Sequence, residues 1–196
     1  MSKVFNKSWF DFDKKEELKG VIIVSILSFI IPLFLGELIR LIFKDGSLIT
    51  SNAGIIIGTI VNSLLIVSAL NFKGIKKIIP VIVLPSIALF ISGVLFGSNY
   101  EIKFMIPGIW LGNYIFVYVF KRLMTEKKFN YFLTGLVAVI AKTLVIFIIF
   151  SILNACGVFA SYEVDELKYA MGIMQGFSGI LGVLLGYLIY TSYRYE

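Results

Sequence analysis

The chain has 196 residues, 59% of them hydrophobic and only 15% charged, with a net charge of +6 and a mean hydropathy of +0.94. A soluble domain is nearer half apolar, so a water-exposed globular fold is excluded. Histidine is absent and Cys156 is the single cysteine, which removes internal disulfides, nearly every transition-metal site and the commonest proton-transfer side chain.

Residues 1–19 form a polar N-terminal segment, expected to be cytoplasmic or interfacial. Within it SWFDFDKKEELK mixes aromatic rings with charges of both signs, as suits a short interfacial helix or a solvated tail with one aromatic anchor. Continuous apolar runs follow at 20–43, 49–70, 78–96, 102–120, 131–153 and 169–190. Each approaches the roughly 20 residues that cross a bilayer core, and none alternates as a barrel strand would. The first run carries Glu37 and Arg40 near its end, so its membrane part is expected to stop near Leu35. It is too long for a signal-peptide core and no small-residue cleavage site follows it. The expected fold is an all-α membrane protein in which 20–196 make a compact bundle of six transmembrane helices.

Orientation follows from the loops. Lys3, Lys7, Lys14, Lys15, Lys19, Lys73, Lys76, Lys77, Lys121, Arg122, Lys127, Lys128 and Arg194 fall on one side, against Arg40, Lys44, Lys103 and Lys168 on the other. Basic loops stay inside, so both termini are expected in the cytoplasm and the protein in the cell membrane as a multi-pass chain. The basic balance is thereby explained by topology and the lipid bilayer, and a nucleic-acid partner is not expected.

The candidate functional residues also come in chain order. In the second run Gly54, Gly58 and Asn62 recur every fourth position, a spacing that reads as helix packing rather than chemistry. Asn99, Tyr100 and Glu101, in SNYEIK, stand at the outer mouth of the fourth helix. That helix reads IPGIWLGNYIFVYVF, where Pro107 frees one carbonyl and Trp110 shares a face with Asn113. An indole beside an amide suits a flat ligand bearing heteroatoms; otherwise the ring is interfacial and the amide bonds a neighbouring helix.

In the fifth helix a small-residue face of Thr134, Gly135, Ala138 and Ala141 includes Lys142, roughly 18 Å above the cytoplasmic end. A lysine at that depth costs on the order of 2.5–3.5 kcal/mol on the lenient scales. No acid occurs within the inner parts of the runs, so either the lysine snorkels or, as its inward small-residue face favours, it serves a ligand or pathway, with a carboxylate or phosphate of a ligand as the simplest partner. The outer loop after this helix offers Asn154. In the sixth helix Gly172, Gly176, Gly179, Gly182 and Gly186 share one arc with Gln175, about 9 Å below the outer surface; the amide either bonds a neighbouring helix at a tight crossing or touches a ligand entering from outside. Phosphate-binding glycine loops, HExxH, paired intramembrane aspartates and a nucleophile with a base are all missing from the sequence. Neither catalysis nor a cofactor nor an ATP-driven pump is expected.

The six-helix layout, the stretch IPGIWLGNYIFVYVF with its basic loop and lysine-bearing fifth helix, and above all MGIMQGFSGILGVLLGYLIY at the end resemble the substrate-binding S components of energy-coupling factor transporters. The layout covers the whole chain and the motifs its last three helices. The resemblance implies uptake of a vitamin or similar micronutrient across a prokaryotic plasma membrane. The small-molecule substrate would meet Trp110, Asn113, Lys142, Gln175 and the outer-loop residues Asn99, Tyr100, Glu101 and Asn154. A module of one transmembrane coupling subunit and two ATPases would supply the energy. Family members often carry Ala-x-x-x-Ala on the first helix to dock on that subunit; here the small residues there are Gly20, Ser25 and Ser28. Two other readings stand beside this one. One is a stand-alone secondary carrier or channel for a small anionic solute, with Lys142 in the pathway. The other is a non-transporting assembly or immunity factor.

Overall fold

The computed structural model describes residues 14–42, 53–92, 100–159 and 164–192. They are almost entirely helical, without a strand among them, and six of the helices are long and apolar enough to cross a membrane. These are α1 (Lys14–Ile42), α2 (Ala53–Asn71), α3 (Ile79–Ser92), α4 (Ile106–Lys121), α5 (Tyr131–Ala155) and α6 (Val164–Ser192). Short irregular turns extend two of them to spanning length. A 3₁₀ turn, Ile75–Ile78, leads into α3, another, Tyr100–Met105, leads into α4, and a π turn, Arg122–Glu126, follows α4.

Small residues decide which helices meet, because lipid offers no hydrophobic drive for one helix to seek another. α2 and α6 form the most extensive pair and run parallel. Gly58 rests on Ser178, Gly182 on Asn62 and Gly186 on Ile66, each contact four residues further along both helices. α5 runs antiparallel to both α4 and α6. Gly108 and Gly112 of α4 admit Ile149 and Ile146, Gly135 admits Val183, and Gly179 admits Val139. α1 packs on α3 and α2 and turns Ile23, Phe34 and Leu41 outward, as a lipid-facing helix does.

One end of the bundle is tied by charge. Glu17, 4% exposed, accepts from the backbone N–H of Lys73 and from Lys77 Nζ at 2.6 Å. Lys121 Nζ donates to the carbonyls of Ala69 (2.8 Å) and Phe72 (2.7 Å). Those carbonyls belong to the end of α2, where the helix has no amides left to bond them and its dipole favours a cation. α1, α2, α4 and the turn before α3 are thus joined at what is here termed the basic end; the opposite end carries Cys156 and the start of α6.

Some boundaries differ from those expected. α1 begins at Lys14, so KKEELK continues the first membrane helix instead of forming a separate interfacial one, while residues 8–13 of that segment lie outside the described residues. The helix-favouring composition and the bonds of Glu17 account for the extension. The helix of α1 runs on to Ile42, which leaves the expected end of its membrane part near Leu35 as it stands, and α6 starts at Val164, five residues before its apolar run.

Candidate functional site

Lys142 is 3% exposed, near the midpoint of α5. Its ammonium donates to Asn62 Oδ1 at 2.6 Å and lies 5.7 Å above the centre of the Phe116 ring. Asn62 Nδ2 in turn donates to Ser178 Oγ at 3.4 Å, and Ser178 Oγ donates to the Gln175 carbonyl at 3.3 Å. Helices α2, α4, α5 and α6 therefore converge on one amine. The expectation that its partner comes from outside the protein is corrected in part, since the carbonyl of Asn62 is an internal one. On its Gly54–Gly58–Asn62 stripe Asn62 is expected to be a packing residue. It does pack, against Gly182, and it also solvates the charge. The signal that could have found it was an amide at the middle of an apolar run, at the depth of the lysine.

An amide solvates a cation without neutralising it. Among the described residues no carboxylate is paired with Lys142, so an ammonium there is uncompensated, which is costly in a low dielectric.

Toward the end opposite the basic one, polar atoms without partners gather on the neighbouring turns. Asn113 lies one turn from Phe116 on α4 and is 2% exposed, yet its Oδ1 has no hydrogen-bond partner. Trp110, one turn further, packs on the core with its Nε1 buried and unpartnered. Thr143 Oγ1 is likewise buried and unpartnered, and faces Gly176 across the α5–α6 contact. Buried polar atoms are nearly always bonded, so these three, with Thr134 Oγ1 nearer the basic end of α5, make four orphans on two adjacent helices, unusual for a purely structural core. Gln175 is half-buried and follows a π turn, Ala170–Met174; such wide turns recur at functional sites. An open apolar groove of about 470 Å³ lies beside this region between α5 and α6, lined among others by Thr143, Phe147, Gly172 and Phe177.

The structure does not bring every candidate together. Asn154 sits in the last turn of α5, about 18 Å along the helix from Lys142 at 1.5 Å per residue. Asn99 lies outside the described residues. Tyr100 and Glu101 belong by backbone to the 3₁₀ turn before α4, and their side chains lie outside the described part. The inner group is therefore Lys142, Asn62, Ser178, Asn113, Trp110 and Gln175.

No known family model, no curated protein and no solved structure matches this chain.

Proposed function

We propose that this chain is the substrate-binding membrane subunit of an energy-coupling-factor uptake transporter, serving a vitamin or similar micronutrient. Its substrate is bound from outside, and a coupling subunit with two ATPases drives release inside. Both termini face the cytoplasm in this reading, as the distribution of basic residues requires.

The observation that carries it is the Lys142 amine, without a carboxylate partner, at the Phe116 ring of α4, together with the orphaned polar atoms of Asn113 and Trp110 one and two turns along that helix. A core built only for stability gains nothing from such groups, whereas a ligand can satisfy them together. The lack of any nucleotide motif in the sequence agrees with a binding subunit that borrows its energy.

A carrier or channel for a small anion would use the same lysine, so the test separates binding from transport. The gently purified chain is weighed by native mass spectrometry to reveal a co-purified small molecule, and is then placed in liposomes. Binding without accumulation is expected. Accumulation driven by an ion gradient, with no ATPases present, would replace this reading with the carrier; absence of any ligand would favour an assembly or immunity factor.

A further inference from the structure

Charge bookkeeping around Lys142 narrows the ligand. Among the described residues the buried charged side chains are Glu17 and Lys142. Glu17 belongs to the basic end and is answered there by Lys77. An ammonium at Lys142 therefore has no negative partner in the interior among the described residues. Asn62 occupies one of the three ammonium donors, and the Phe116 ring covers a face of the ammonium. Asn62 is itself held by Ser178 and pressed against Gly182, so its carbonyl is fixed in place.

We propose that this site takes a monocarboxylate, a ligand carrying one negative charge that sits at the Lys142 ammonium, and that Asn62 is the positioning residue that presents the ammonium to it. The proposal deepens the functional reading above and rests on it for the contact between Lys142 and the ligand. A doubly charged phosphate monoester would leave one negative charge buried and unanswered. A lipid phosphodiester also carries one charge, but its headgroup lies roughly 15 Å away at the bilayer surface. The remaining orphans set the rest of the ligand. Asn113 Oδ1 needs a donor and Trp110 Nε1 needs an acceptor, so the carboxylate is joined to a body offering both.

The test uses thermal unfolding of the full chain in detergent. Asn62→Asp places a carboxylate where the amide oxygen stands and so mimics the bound ligand. It is expected to raise Tm by on the order of 5 °C and to abolish any response to added carboxylate, whereas Asn62→Leu lowers Tm. In the wild type, millimolar benzoate is expected to raise Tm, and equal concentrations of benzamide or inorganic phosphate are not. Lys142→Met removes the benzoate response. If Asn62→Asp melts no higher than the wild type, the charge match is overturned. If Asn62→Asp does not fold, the wild-type comparison decides alone, and benzoate acting no differently from benzamide rejects the proposal. Accumulation without ATPases would reject the transporter-subunit reading and leave the charge match intact, so the two failures are distinguishable.

Discussion

Two opposing costs meet at Lys142. Methionine there would remove a charge that costs on the order of 2.5–3.5 kcal/mol at mid-membrane, but would also leave Asn62 Oδ1 without its donor, at about 1–3 kcal/mol. Lys142→Met is therefore expected to melt at or above the wild-type temperature. Its ligand affinity should fall about ten- to a hundredfold, the loss of one charge-assisted hydrogen bond. Calorimetry and ligand titration of the purified variant check both; a variant that binds normally and melts lower would make the lysine structural. The oddity of this residue was legible in the sequence, because depth in an apolar run is a property of position alone. Its partner was not, since Asn62 lies 80 residues away and nothing in one sequence fixes the relative rotation of two helices.

Among elements, the α2–α6 contact depends on the absence of side chains at particular glycines, and the glycines of α6 are unequal. A Cβ on Gly182 would collide with Asn62 Cβ and stand 3.1 Å from the Thr59 carbonyl oxygen, whereas one on Gly176 meets nothing closer than Thr143 Oγ1 at 3.9 Å. Gly182→Ala should therefore cost about 1–3 kcal/mol through overpacking. Gly176→Ala should be neutral or stabilising by up to about 1 kcal/mol through helix propensity. Equal melting temperatures for the two variants would contradict this account of the interface. The glycine arc of α6 was readable from spacing, and so were the six helices, because a bilayer imposes a length that composition reveals. What escaped was the chemistry at helix ends. The Lys121 cap on α2 and the Glu17–Lys77 pair join residues 49 to 60 positions apart, and basic residues there had been read only as markers of topology.

For the whole molecule, orientation can be tested with almost no engineering. Cys156 is the single cysteine, is exposed, and caps the end of α5 opposite the basic end. A membrane-impermeant maleimide should label it in intact cells. A Lys76→Cys substitution in a Cys156→Ser background should label only after permeabilisation. The reverse pattern would invert the topology and place the orphaned polar atoms of α4 on the cytoplasmic side of Lys142.

The parallel pairing of α2 with α6 has a consequence in time. Asn62 and Ser178 are 116 residues apart, and a ribosome adding about 5–20 residues per second needs about 6–23 s to cover that interval. During it, the face of α2 formed by Gly58, Asn62 and Ile66 lacks its mate. When Lys142 arrives, four helices are already made and the glycine-rich sixth is still unsynthesised. The amide of Asn62 is then the earliest shelter the nascent chain can offer that charge, so the interaction that tempers Lys142 in the finished bundle is also available on the way to it.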